Sequence, residues 1–324
     1  MTRVLPLEAA SHPRHPLHSE DRIWVEKNCY IDLWIEVLHA LGVEPLAVMP
    51  FTLSIDFEDD QWTFFKPPHG ELWDLYGIDV EELTVWKPLV EHCATQLAAG
   101  KFVSTDADAF FLPDTSGTDY RRNHTKTTIV VNDLDLERRR LGYFHNAGYY
   151  ALEGDDFAGL FRLGLPHDPA FLPLFAELVR VGRVVVRSDE ELRAISRRLL
   201  QKHLARRPAD NPIARFGRAF EAELPKLHEA GLEHYHLWAF AGVRQLGAAF
   251  ELAALYVDWL DPALAKEVSP HFTAVSAGAK TFILKAARAV NGKRALDARP
   301  MFDEMAAAWE AGMARLDRAV ERPA

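Results

Sequence analysis

An extended lead-in precedes the first strong hydrophobic pattern, which starts at residue 29. In CYIDLWIEVLHAL, residues 29–41, Ile31, Trp34, Ile35 and Leu38 fall at helical spacing, and Leu33, Val37 and Leu41 widen the apolar surface. Only Asp32, Glu36 and His39 form a polar stripe, so the spacing predicts a largely buried helix. Asn28 is placed to cap its start and Gly42 to end it. FTLSIDF and QWTFFK flank the acidic turn EDD and read as a β-hairpin. ELWDLYG reads as a short helix, and residues 81–99 read as helical, with Pro88 opening the main segment.

KFVSTDADAFFLP alternates and ends in proline, which suits a strand, and DTSGTDYRRN is a polar loop. TKTTIVVNDL and RRRLGYFHNAGYYALEG read as two strands joined by the charged turn DLERR, with Asn146 on the second. A helix followed by an antiparallel sheet is the α+β class. Farther on, residues 168–207, 212–230, 234–260, 262–290 and 299–321 read as mainly helical, with VGRVVVRS as a short strand or a helix start. The expected division is a core over 1–165 and a helical region over 166–324 packed on it.

Composition narrows the function. The chain has 324 residues, 48% of them apolar, with a formal net charge of -10, which argues against a general nucleic-acid surface. No apolar run approaches the roughly 20 residues of a membrane helix, and MTRVLPLEAASHPRHPLHSEDR lacks a signal-peptide core. Two cysteines in so long a chain are not a disulfide framework. A cytoplasmic protein that does not engage membrane is expected.

The two cysteines then differ in setting. Cys29 sits in the first turn of the predicted helix, where unpaired N–H groups and the helix dipole favour a thiolate, and where its own N–H can serve an oxyanion hole. A buried structural thiol is the plain alternative. Cys93 lies mid-helix on a face with Leu89, Val90 and Leu97 and reads as core. His124 lies where a polar loop meets a strand, and Asn146 lies on the following strand, where its amide oxygen can fix an imidazole tautomer. Taken singly, His124 is a surface loop histidine and Asn146 a turn residue. Together the order Cys, His, Asn is that of papain-type enzymes.

NCYIDLWIEVLHALG resembles the cysteine helix of the butirosin-biosynthesis acyltransferase family, a papain-like group that moves aminoacyl units from carrier proteins. DAFFLPD is similar to that family's Asp-x-aromatic-aromatic-Leu-Pro strand. His124 followed by TTIVV, a following strand ending at the third catalytic position, and FAGVRQLGAAFELAALYVDWL extend the likeness. As a whole the chain looks still closer to a bacterial family known only by a label of unknown function. The resemblance implies a papain-like core in which Cys29 is acylated, His124 is the base and Asn146 orients the histidine. It implies no bound cofactor; the phosphopantetheine arm of an acyl or aminoacyl carrier protein is substrate, and an amine on a small molecule or peptide is acceptor. Many relatives carry Asp at position 146, and Ile23 stands where many papain-like enzymes place an oxyanion-binding Gln; Asn28 is the substitute candidate.

Asp108 is a second candidate, as a cleft residue or a partner of Arg121 or Arg122. The histidines of HPRHPLH (His12, His15 and His18) are stiffened by prolines and lack a completing ligand set, so no metal is expected. ELRAISRRLLQKHLARR is a basic amphipathic helix. Its Arg193, Arg197, Arg198 and Lys202 are candidates for docking an acidic carrier protein, against the plainer reading of a solvated face. A hydrolase using the same three residues, and a non-catalytic binding protein on the same fold, are the alternative functions.

Overall fold

Asn28 has extended backbone angles (φ -143°, ψ 156°), and its side-chain oxygen accepts hydrogen bonds from the N–H groups of Tyr30 and Ile31. That cap starts helix α1 (Cys29–Ala40), whose residues from Tyr30 to Leu38 are all buried. The computed structural model describes residues 2–165 and 174–320. They form a mixed α and β chain with an antiparallel sheet and a helical C-terminal region. Two compact units are present: Met1–Glu20 with Asn28–Glu44 and His69–Arg187, and Asp21–Lys27 with Pro45–Pro68 and Ser188–Ala324.

The first unit is built on a sheet. Its strands run in the order β4 (Asp79–Glu82), β9 (Ala176–Arg180), β5 (Lys101–Asp108), β6 (Lys126–Asp135), β7 (Arg140–His145) and β8 (Gly148–Glu153), and β1 (Thr2–Arg3) also pairs with β6. Every pairing is antiparallel. Among the described residues this unit also carries the α-helices α2 (His69–Tyr76), α3 (Leu89–Ala98) and α4 (Asp155–Leu160). Val90, Cys93 and Leu97 of α3 join Val103, Ile129, Val131, Leu141 and Tyr143 of the strands in one apolar core. Cys93 is therefore core, and burial pushes its thiol up to about 12.

Three local expectations are corrected. Residues 81–99 do not form one helix: Asp79–Glu82 is strand, and α3 begins only after Pro88, whose ring disfavours helical geometry in the residue before it. Residues 176–180 of the expected helix 168–207 are strand β9, buried between β4 and β5; residues 166–173 lie outside the described residues. The helix there starts at Asp189, where Ser188 and Glu191 form a capping box. Asn146 is not on a strand. His145 pairs with Gly148, so Asn146 and Ala147 form the turn between β7 and β8, with Asn146 at φ 44°, a conformation asparagine tolerates better than most residues.

The second unit is mainly helical. It contains the two-residue strands β2 (Phe57–Glu58) and β3 (Gln61–Trp62), the reduced form of the expected hairpin, because FTLS belongs to the 3-10 helix Pro45–Ser54. Among the described residues the helices that follow are α5 (Asp189–Arg206), α6 (Pro212–Ala230), α7 (Leu232–Ala241), α8 (Val243–Leu260), α9 (Pro262–Asn291) and α10 (Arg299–Val320). Gly242 divides the expected helix 234–260 into α7 and α8.

Helix α8 holds the segment Asp21–Lys27 as a strap. Glu251 accepts the N–H groups of Ile23 (2.7 Å) and Trp24 (3.0 Å). Arg244 donates to the carbonyls of Lys27 (3.1 Å) and Glu26 (2.8 Å). The Trp24 ring lies on Gly247, where a Cβ would come within 2.4 Å of it, and its N–H donates to Ser276 (3.0 Å). No described helix is long and apolar enough to cross a membrane.

Candidate functional site

Cys29 is the first residue of α1, and its thiol is half-buried. It meets the start of β6, interacting with the Thr127 hydroxyl and the Thr128 backbone. Burial pushes the thiol above its ordinary value; the Thr127 hydrogen bond opposes this, the Asp32 carboxylate adds to it, and Thr128 and Lys126 oppose it weakly. The expectation of an activated thiolate is thus reversed in the resting protein: desolvation of the charged form wins over the helix N-terminus. Asn28 uses its side-chain oxygen on the Tyr30 and Ile31 amides, which leaves the Cys29 N–H without an intramolecular partner among the described residues.

Beyond Thr127 lies a histidine. Thr127 Oγ1 is 2.8 Å from His145 Nε2, His145 Nδ1 is 2.5 Å from Asp114 Oδ2, and Tyr143 donates to Asp114 Oδ1 at 2.5 Å. An ionised carboxylate only accepts, so Nδ1 donates to it, and in the neutral imidazole Nε2 then accepts from the threonine hydroxyl. The hydroxyl oxygen can then accept from the thiol. Every link from sulfur to carboxylate has a donor facing an acceptor. His145 and Asp114 side chains are 1% and 4% exposed, so both are held in a dry setting. Burial, and then Asp114, push the Tyr143 hydroxyl far up, so it remains a donor.

His124 stands apart from this line. Its Nδ1 is 2.6 Å from Asp108 Oδ2, its ring stacks on Phe110 (centroids 4.4 Å apart), and its side chain is 69% exposed. The group that orients His124 is Asp108, not Asn146, because Asn146 is spent in the turn after β7. Asp108 also caps the 3-10 helix Ala109–Phe111 through the Phe110 N–H, while Arg121 pairs with Asp156. Among the described residues no hydrogen bond joins His124 to Cys29 or to Asn146. Sequence reasoning passed over His145, the immediate neighbour of Asn146, and Thr127. The available signal was alternation, which sets Tyr143 and His145 on one side of β7 and Thr127, Ile129 and Val131 on one side of β6.

Two polar clusters brace the cysteine helix. Tyr30 Oη is 2.9 Å from His69 Nε2 and donates to Glu177 (3.0 Å), which Ser104 also reaches (3.1 Å). The lead-in histidines cover the polar stripe of α1: His18 contacts Glu36 (2.5 Å) and Asp32 (3.1 Å), His12 lies 3.5 Å from Glu36, and the His15 N–H donates to Glu36 (2.9 Å). Burial alone would raise Glu36, but His18, His15 and His12 outweigh it and bring the carboxyl below its usual range. Among the described residues no group of three or more His, Cys, Asp or Glu side chains is arranged to hold a metal ion.

Residues 13–181 match the DUF1839 N-terminal domain, and residues 189–318 match the DUF1839 C-terminal domain. The chain belongs to the DUF1839 family. No curated protein matches it. The C-terminal match begins at Asp189, the first residue of α5, so in this DUF1839 chain the family boundary coincides with a capped helix start. The basic residues of that helix are partly engaged. Arg193 donates to the Trp259 carbonyl (3.0 Å) and lies over the Trp259 ring, Arg197 is 3.7 Å from Asp261, and Arg198 donates to the Ala194 carbonyl (3.3 Å). Lys202 lies on the same helix, and it also has an interaction partner.

Proposed function

We propose that this DUF1839 protein is a cysteine acyltransferase, with Cys29 as nucleophile and a papain-like arrangement of helix and strands around it. The observation that carries this reading is the continuous line from Cys29 through Thr127 to His145 and Asp114. A neutral thiol next to a relayed base needs no resting thiolate. As sulfur attacks a thioester carbonyl, its proton passes to the Thr127 oxygen while the Thr127 proton passes to His145 Nε2. Asp114 stabilises the imidazolium. The free Cys29 N–H is positioned to receive the oxyanion. Collapse expels the donor thiol, which takes the proton back through the same line, and leaves an acyl-enzyme. An amine then attacks the acyl carbonyl and gives its proton to His145 through Thr127, and the proton returns by the same line to the Cys29 sulfur as the amide leaves.

The acyl donor follows from the resemblance: an aminoacyl thioester on the phosphopantetheine arm of a carrier protein, with an amine as acceptor. His124 is the second reading for the base. Its Nδ1 is fixed by Asp108, and Nε2 is its remaining ring nitrogen.

Intact-protein mass spectrometry after incubation with aminoacyl carrier protein tests the reading. A mass increase equal to the acyl group is expected in the wild type and in Cys93→Ala, and none in Cys29→Ala. An adduct that survives Cys29→Ala, or no adduct with any of a panel of aminoacyl thioesters, overturns it.

A further inference from the structure

The strongest unassigned feature is a pocket of about 650 Å³ in the first unit, lined by Trp73, Asp79, Lys101, Arg180 and Arg183 with backbone from Gly77, Gly100 and Gly182. Its size is that of a small-molecule site. Lys101 opens β5, and the Cys29 contact lies near the other end of the same hairpin, where Asp108 pairs with Lys126. Seven residues of strand at about 3.3 Å each put the two ends roughly 23 Å apart. This pocket is therefore separate from the cysteine.

Its charge is unusual for this chain. A protein with a net charge of -10 gathers three cations and one carboxylate here. Asp79 is committed to Arg180 at 2.5 Å. Lys101 and Arg183 have no ion pair among the described residues. Lys101 also stands directly opposite Arg180 in the β5–β9 register, and like charges so placed repel. An anion held between them would relieve that repulsion. Arginine forks match phosphate oxygens in geometry as well as charge.

The rest of the wall selects size and shape. Trp73 is partly exposed, and the Arg183 guanidinium lies 6.0 Å from its ring centroid. Gly77 has φ +72°, and a Cβ there would come within 2.3 Å of the Arg183 carbonyl, so this position keeps the arginine loop close. We infer that this pocket binds a phosphate-bearing small molecule whose flat ring packs on Trp73, with Lys101 and Arg183 holding the phosphate.

Titration calorimetry of the full chain with inorganic phosphate and with AMP, at low and raised salt, tests this. Saturable binding is expected for both, tighter for AMP, and weaker at raised salt. Lys101→Glu and Arg183→Glu should each weaken both ligands tenfold or more, and the milder Arg183→Gln should weaken them in the same direction. Trp73→Ala should weaken AMP and leave phosphate unchanged, and Cys29→Ala should bind as wild type. No saturable heat, affinity unchanged by the charge reversals, or AMP no tighter than phosphate overturns the inference.

Discussion

Thr127 Oγ1 lies 2.8 Å from His145 Nε2, and the same hydroxyl meets the thiol of Cys29. One threonine thus stands where a direct thiol–imidazole contact would be expected, and the proposed chemistry depends on its hydroxyl.

Removing that hydroxyl should disconnect sulfur from base. Thr127→Val and His145→Gln are each expected to slow acylation of Cys29 by about 10²- to 10⁴-fold, the usual contribution of a general base. Thr127→Ser should keep most of the rate, and His124→Gln should stay within about tenfold of wild type by the same scale. Single-turnover acylation followed by mass spectrometry measures all four. The opposite order, with His124→Gln the slow variant, would give the base role to the His124–Asp108 pair.

Alkylation should report the raised thiol. Because burial favours the protonated form of Cys29, iodoacetamide labelling should climb with pH along a curve centred above that of a free cysteine. Asp32→Asn removes a nearby negative charge and should move the curve down. A midpoint below that of free cysteine would contradict the burial argument.

Cys93 makes a prediction about alkaline stability. Its thiol titrates at about 12 in the folded chain, against the ordinary value of 9.0. Above the ordinary value the unfolded chain has released a proton that the folded chain retains. The Cys93 contribution should therefore be flat below pH 9 and lower stability by about 1.4 kcal/mol per pH unit as pH rises above it. Urea unfolding between pH 9 and 10 lies below the raised tyrosine titrations, and comparison with Cys93→Ala separates the Cys93 slope from that of Cys29, whose thiol is also raised. Cys93→Ala should be less stable at neutral pH and show a shallower slope.

His18 should prove structural. Its two ring nitrogens meet the buried Glu36 and Asp32. His18→Leu removes a buried ring contact from each of those carboxylates and should cost about 3–5 kcal/mol in urea unfolding. Glu36 titrates below its ordinary value when folded, so its contribution is present above that value and is lost as pH falls through the folded one. Wild type should lose stability over that acid range, and His18→Leu should lose less.

Gly247→Ala tests the strap. The new methyl would strike the Trp24 ring, an overpacking expected to cost about 1–3 kcal/mol and to lower the melting temperature measured by calorimetry. An unchanged melting temperature would show that the ring moves aside freely.

Much of this architecture was legible beforehand, for local reasons. Asn28 before a dense apolar face announced α1, and the strand patterns of KFVSTDAD and TKTTIVVNDL were short-range signals. Cys93 was readable as core from its helical neighbours alone. What escaped depended on distant partners. β9 is five residues long, and only β4 and β5 on either side make it a strand. His124 had the flanking sequence of a base, but Phe110 and Asp108, brought beside it by the β5–β6 pairing, fix its ring. His145 looked like the flank of Asn146 until the two-residue turn set Asn146 aside and left His145 on the strand.

The strap Asp21–Lys27 is grouped with the helical unit, whereas Asn28 and Cys29 belong to the sheet unit. A polypeptide severed between 181 and 189 would therefore not yield two self-sufficient fragments. The later piece would lack Trp24, leaving a bare hollow over Gly247 and an unpaired Glu251, and the earlier piece would carry that tryptophan with nothing to receive it. Ribosomal synthesis meets the same constraint: the stretch just ahead of the nucleophile must wait for more than 200 later residues to emerge before α8 can seat it.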